Sequence, residues 1–301
     1  MAKPSNKKIV DALTNIRWDA DFFDPKNGNF DSIYYSDKTL FTYALLVNGD
    51  VLQYASDEFK ADAEMVGVAI SSSISSFAYI DEKFKHDKEF ILKHCDYNVL
   101  EYLPDEILLD KKFLMNYDVE DLAVLLETKP HLYKDDREFI LKILQNNGNA
   151  LRHLSADMQN DFEMAKASVL NNSHAYQHIG NKLKDNEELL KLAIKWNGDI
   201  LEYAIDKFKQ DKEIAKIAVS NNASAICFLP KEFQSDKELI SLALGSRMNV
   251  SDAMLSINKE VFKDREFSKR LMYINEAIFD YFDSELQKDT EFKLIKKIQE
   301  I

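Results

Sequence analysis

Glycine and proline are scarce in this chain, at 7 and 5 of 301 residues. Turn-rich β folds need such residues every few positions, so their scarcity excludes that class and favours helices. Cysteine is nearly absent: Cys95 and Cys227 stand alone, with no CxxC spacing. Two distant thiols make no disulfide framework, and the expected setting is a reducing one, the cytoplasm. A non-classically secreted effector would have the same composition. No run of 18 apolar residues occurs, and the opening MAKPSNKKIVDALTNIRWD has no apolar stretch of signal-peptide length. Neither a membrane span nor a leader is therefore expected. Positive charge is in deficit, with 39 Lys and Arg against 52 Asp and Glu and a formal charge of −13. A groove that tracks phosphates needs a basic stripe, so direct nucleic-acid binding is not expected. The glycine-rich phosphate loops GxGxxG and GxxxxGK[ST] are also missing, and no cofactor is expected.

What is present is a repeat. Residues 186–210 (NEELLKLAIKWNGDILEYAIDKFKQ) and 211–235 (DKEIAKIAVSNNASAICFLPKEFQS) place acids, apolar residues and turn residues in register at an offset of 25. An acid or Asn opens each copy, giving the anchors Asp37, Asp62, Asp87, Asp110, Asp136, Asp161, Asn186, Asp211, Asp236, Asp264 and Asp289. The gaps are 25 except for 23 after Asp87, 26 after Asp110 and 28 after Asp236. Such regularity marks a stacked array. We number the repeats first to tenth from Asp37 to Asp264, with the anchor as position 1.

Each position has a physical task. The anchor side chain can cap a helix. A Glu at position 3, as in Glu64, Glu138 and Glu213, complements the positive end of the helix dipole. Apolar residues at positions 4, 5, 8 and 9 form one face of a three-turn helix. Asn at position 12 (Asn48, Asn98, Asn147, Asn172, Asn197, Asn222 and Asn275) reads as a helix stop in the left-handed conformation, with Gly following at 49, 148 and 198. A shorter helix follows with apolar or aromatic residues at positions 16, 18 and 19, and a hydrophobe at position 23 precedes a charged linker. Neither helix can bury its stripe alone, so the units must stack. The expected fold is all-α: an α-solenoid of about ten 25-residue two-helix repeats over residues 37–301, ending in a terminal helix. Residues 1–36 form an N-terminal capping segment, with an amphipathic helix over 7–18 and a turn at Asn27-Gly28. The Asp and Asn in that turn do not have the ligand spacing of a calcium loop.

The pattern D-K-E-hydrophobic…A…N-G…L-x-Y-A…F-K resembles the repeat of an uncharacterised helical family, domain of unknown function 4116. Residues 37–61, 136–160, 186–210 and 211–235 fit it best, while 110–135 and 236–263 depart most. The resemblance runs from residue 37 to the end and implies an all-α repeat fold. It brings no reaction and no catalytic residues.

No constellation points to chemistry. His174 and His178 lie four apart, a ligand spacing on an α-helix. His153 and His178, however, occupy position 18, where other repeats have Tyr or Phe, and His94 falls at core position 8. The expected role of these residues is packing, and no metal site is expected. Cys95, at core position 9, and Cys227 lack an adjacent base, so neither is a nucleophile candidate. The chain is read as no enzyme.

Surface rows remain. Linker acids Asp57-Glu58, Asp81-Glu82 and Asp105-Glu106 predict an acidic edge, interleaved with Lys or Arg at position 2. Position 11 is mostly small or polar (Ser72, Asn146, Asn171, Asn221, Ser246), an accessible row in which Trp196 and Tyr97 are out of character. Exposed aromatics are favoured interface anchors. The expected function is a non-enzymatic interaction module (adaptor, inhibitor or effector) that binds a protein partner through an extended surface. The partner-binding candidates are Trp196, Tyr97, Asp57, Glu58, Asp81, Glu82, Asp105 and Glu106. The alternatives are an acidic polyanion mimic that blocks a nucleic-acid channel of a nuclease or defence complex, and an enzyme of unrecognised type.

Overall fold

The computed structural model describes residues 14, 19–30, 32–246 and 250–299. The helix expected over 7–18 lies outside the described residues except for Thr14, which is helical. Among the described residues there are helices and no strand. The chain divides into two compact units, Met1–Asp135 and Asp136–Ile301, with the division at an anchor.

The regular repeat opens with a ten-residue α-helix: Lys38–Val47 and Ala63–Ser72 in the first unit; Arg137–Asn146, Phe162–Asn171, Glu187–Trp196, Lys212–Asn221 and Arg265–Ile274 in the second. The anchor caps it as expected. Asp62 sits in extended backbone and accepts from the amides of Glu64 (3.0 Å) and Met65 (3.2 Å), and Asn186 does the same for Leu189 (3.1 Å). Positions 4, 5, 8 and 9 are buried, as in Leu189, Leu190, Ala193 and Ile194. Burying aliphatic side chains of this size contributes roughly 1.5–3 kcal/mol each.

The helix stop works differently from expectation. Asn48 is extended (φ −153°, ψ 108°), as are Asn172, Asn197, Asn222 and Asn275; the described glycine with positive φ is Gly28. Each of these Asn side chains accepts from the amide two residues on, for example Asp50 N to Asn48 Oδ1 at 3.0 Å. One residue thus ends the α-helix and caps the next element, a six-residue 3₁₀ helix such as Gly49–Tyr54 or Gly198–Tyr203.

That 3₁₀ geometry also changes which residues face inward. With three residues per turn, positions 13, 16 and 19 share a face. Gly198, Leu201 and Ala204 are buried accordingly, Ile200 at position 15 is buried as well, and Tyr203 at position 18 is half-exposed. The expected linker is in fact a four-residue α-helix (Asp57–Lys60, Ala156–Gln159, Asp206–Lys209), with Phe59 and Phe208 buried under it. At position 24 a Lys or Gln reaches back to carbonyls at the end of the 3₁₀ helix, which lack partners within it. Lys60 Nζ donates to Gln53 O (2.9 Å), Lys209 to Glu202 O (2.8 Å) and Gln234 Nε2 to Leu229 O (2.9 Å).

In the first unit, Phe23 of the leading segment is fully buried against Phe41, with ring centroids 5.6 Å apart. The third repeat shortens its long helix to Lys88–His94, and Asp96, not Asn98, caps the following 3₁₀ helix. The fourth repeat breaks after Lys111–Leu114, where the Asn116 side chain donates to Phe113 O (2.8 Å) and competes with the helical ladder. Tyr133, not Leu132, is its buried seam residue. In the second unit, the ninth repeat replaces the 3₁₀ helix by the α-helix Val250–Ser256. At about 1.5 Å per residue against about 2.0 Å for 3₁₀, the α form takes up extra residues without extra length.

Candidate interaction surface

Three kinds of tie join consecutive repeats, and they decide which polar side chains remain available. The first is a ladder at the start of the long helices. The position 2 cation of one repeat pairs with the anchor of the next: Lys38–Asp62 and Lys212–Asp236, both 2.6 Å, together with Lys88–Asp110, Arg137–Asp161, Lys237–Asp264 and Arg265–Asp289. In Asp62, Asp110 and Asp236 one carboxylate oxygen caps the helix while the other takes the ion pair. The cation beside each of Asp62, Asp110, Asp161 and Asp264 holds that carboxyl below the usual range, and Arg265 takes Asp289 down to about 2. The Glu at position 3 joins in through Lys216–Glu238 (2.8 Å) and Lys269–Glu291 (2.8 Å). Six anchor carboxylates on the edge expected to be acidic are thus paired with its own lysines and arginines.

The second tie gives position 11, where Ser72, Asn146 and Asn171 are exposed as expected, a further role. Asn171 accepts from Gly148 N (2.7 Å) and donates to Gln145 O (3.1 Å); Asn221 likewise accepts from Gly198 N (2.9 Å) and donates to Lys195 O (2.9 Å). Each Asn clamps the preceding repeat across its helix stop. The glycine is required by this close approach, since a Cβ on Gly148 or Gly198 would lie 2.2 Å from the carbonyl oxygen of Ser168 or Ala218. The third tie is an Asp at position 14. Asp50 accepts from Ser73 (3.0 Å) and Ser75 (2.6 Å), and Asp199 from Asn222 (2.7 Å) and Ser224 (2.5 Å). The pairing of Gly148 with Asn171, and of Gly198 with Asn221, was visible as a spacing of 23 residues; what it meant was not.

Against this background the candidate residues separate. Trp196 ends the helix Glu187–Trp196 with 69% of its surface exposed. Tyr97 is 45% exposed, but the shortened third repeat places it just after the cap, so it does not correspond to Trp196. Asp57 and Glu58 are exposed in the first turn of their short helix. Asp81 is spent on capping, accepting from Lys83 N at 2.9 Å, and Glu82 pairs with Lys85 (2.7 Å). Asp105 holds Lys129 (3.2 Å) and His131 (3.4 Å), while Glu106 meets His86 (2.8 Å). Except for Trp196, all the candidates lie in the first unit.

Sequence reading missed the outward row at position 18. Tyr79, Tyr102, Tyr203 and Tyr281 are 36–40% exposed, and His153, His178 and Phe228 are half-buried in the same slot. Helix type alone does not set this exposure, because position 15, one 3₁₀ turn earlier on the same side, is buried in Val51 and Ile200. The same geometry separates His174 from His178, because four residues are one and a third 3₁₀ turns. His94 stacks on Phe90, 4.6 Å between centroids, over Gly67, where a Cβ would meet its ring. Burial pushes the Cys95 thiol up to about 12, which removes its thiolate at neutral pH. Among the described residues no group of three or more His, Cys, Asp or Glu could hold a metal ion, and no helix is long and apolar enough to cross a membrane. The described grooves are shallow and open, such as that between Arg137–Asn146 and Phe162–Asn171, lined by Leu141, Lys166, Ala167 and Leu170.

These features define a helical-repeat protein whose polar side chains serve mainly its own seams. Residues 37–85, 136–184, 161–209, 186–234 and 211–249 match a family model described as Domain of unknown function (DUF4116). The matches take in more than half of the chain, and the chain belongs to that family. No curated protein and no solved structure matches it.

Proposed function

We propose that the repeats form an α-solenoid of ten two-helix units closed by terminal caps, and that the chain is a non-enzymatic interaction module binding a protein partner. The observation that carries this reading is the half-exposed ring at position 18 that recurs within each unit, together with the exposed Trp196 in the second. The rings end 3₁₀ helices whose carbonyls are tied down by position 24, so they are presented on a fixed backbone. Rigid aromatics of this kind lose little entropy on binding and dominate interface energetics. No set of converging acid, base and nucleophile accompanies them among the described residues, which is why binding is preferred to catalysis.

Affinity capture from the native host, at low and high salt, tests this. A stoichiometric partner that survives high salt and is lost on Tyr203→Ala or Trp196→Ala agrees with the reading. A basic partner that is released steeply by salt and ignores both substitutions favours the polyanion mimic instead. Self-pairing along the anchor edge argues against the mimic, because those carboxylates are already compensated. Absence of any stoichiometric partner at either salt would sink the module.

A further inference from the structure

The 3₁₀ helices end in a recurring pair of residues on their outward side: Gln53-Tyr54, Glu101-Tyr102, Glu202-Tyr203, Asp280-Tyr281. The fifth and sixth repeats depart from it together. Their 3₁₀ helices, Gly148–His153 and Ser173–His178, pack against each other and end in Arg152-His153 and Gln177-His178. Lys182 follows at position 22 of the sixth repeat, where the first and fifth repeats have Glu58 and Asp157 and the second and seventh have Lys83 and Lys207. These two 3₁₀ helices thus carry no carboxylate, in a chain of net charge −13, although Asp157 stands in the short helix after the first of them.

The groups involved are close together. Arg152 Nε donates to His153 Nε2 at 2.7 Å. The half-buried His178 ring makes no hydrogen bond among the described residues, and burial, with the nearby charges of Arg152 and Lys184, holds it below its usual value. Lys184 is turned inward to Tyr176 O (2.7 Å) and Gln177 O (3.2 Å), so it contributes field but no free donor. Neither Arg152 nor Lys182 pairs with a carboxylate among the described residues, in contrast to the position 2 cations of the ladder.

We propose that this basic window, formed by Arg152, His153, His178 and Lys182, binds an acidic segment of a protein partner. The proposal rests on the interaction-module reading and names the chemistry of its partner. Arg152 supplies a forked guanidinium that matches a carboxylate, and the His178 ring supplies an unused donor. Packed helices lie about 8–10 Å apart, close to the span of three residues of extended chain at about 3.3 Å each. A peptide with carboxylates at that spacing reaches both repeats, whereas a single small anion reaches one.

The test titrates the full chain with fluorescein-labelled hexaglutamate and, separately, with inorganic phosphate, following histidine Hε1 resonances and fluorescence anisotropy. Hexaglutamate is expected to move the His153 and His178 signals, assigned through H153Q and H178Q, and to leave His86 and His131 in place. Arg152→Glu is expected to weaken the peptide at least tenfold with an unchanged circular dichroism spectrum. If Arg152→Glu does not fold, Lys182→Glu, on an exposed side chain, is expected to weaken it severalfold. A peptide that leaves both histidines unmoved, or that binds equally well to a folded Arg152→Glu protein, overturns the proposal. So does phosphate producing the same shifts at the same concentration, which would make the window a small-anion site. A native partner captured equally by wild type and Arg152→Glu, but lost on Tyr203→Ala, would leave the module standing and remove the window alone.

Discussion

Two adjacent seams of the second unit are built from opposite choices. Between the fifth and sixth repeats, Arg137 pairs with Asp161, Asn171 clamps Gly148 and Gln145, and a glycine lets the backbones approach. Between the sixth and seventh, position 2 is Phe162 and the anchor is the neutral Asn186; position 11 is Trp196, and Ser173 stands where the glycine would be. What ties this second seam is Lys166–Glu188 (2.9 Å), Lys207–Asp185 (2.6 Å) and a 3.3 Å contact between Asn197 Nδ2 and His174 Nε2. The apolar stripes are equally buried on both sides, so hydrophobic burial sets the stacking and the polar ties are adjustable. A repeat can give up its clamp and place a large exposed aromatic there instead.

The sharpest way to break this contrast is Gly148→Ala. The added Cβ meets backbone 2.2 Å away, so the seam must open, at a cost of about 2 kcal/mol. Urea unfolding should show that loss, while Ser173→Ala at the equivalent place should stay within about 0.5 kcal/mol. Equal effects would mean that the two seams are not different. Next in size is Asn171→Ala, which leaves the Gly148 amide without its acceptor and should cost about 1–3 kcal/mol in the same assay. The converse substitution, Trp196→Asn, should supply the missing clamp to Leu170 O and Ser173 N and raise the urea midpoint by the equivalent of about 1 kcal/mol. A fall in the midpoint would show that Trp196 stabilises its own seam.

The smallest effect concerns acid. The guanidinium of Arg137 holds the Asp161 carboxyl below its usual value, so the unfolded chain takes up its proton first as pH falls. The stabilisation is complete above the unfolded carboxyl value of about 4 and disappears as pH drops through the lower folded value. Both groups are partly exposed, and solvent screening limits the effect to no more than about 1 kcal/mol. Arg137→Gln should therefore flatten unfolding midpoints between pH 5 and 2. Asn186→Asp, with no cation at Phe162 to receive it, should not steepen them.

Much of the fold was legible in the residues. Asp62 at an anchor, Glu64 behind it and the apolar set Met65, Val66, Ala69 and Ile70 specify a capped three-turn helix, and the structure has it over Ala63–Ser72. These signals are local: a cap and a helical face are made by neighbours in the chain. The candidate surface was less legible. Trp196 stood out because its row is otherwise small and polar, and it is exposed. Tyr97 was assigned to that row by counting from the anchor, which fails once the third repeat drops residues inside its helix. Tyr203 and its equivalents were read as packing residues, and their rings are half-exposed.

The sequence by itself determined the period, the element that opens each repeat and where it ends, because caps, stops and amphipathic faces act over one to nine residues. Only the tertiary structure decided what those residues do at the seams. Whether Asn197 is left-handed or extended, whether Gly198 serves a turn or a contact, and whether Asn221 faces solvent or clamps depend on carbonyls and amides one repeat away. Those partners are about 23 residues distant in the chain, and stacking alone brings them within hydrogen-bonding reach.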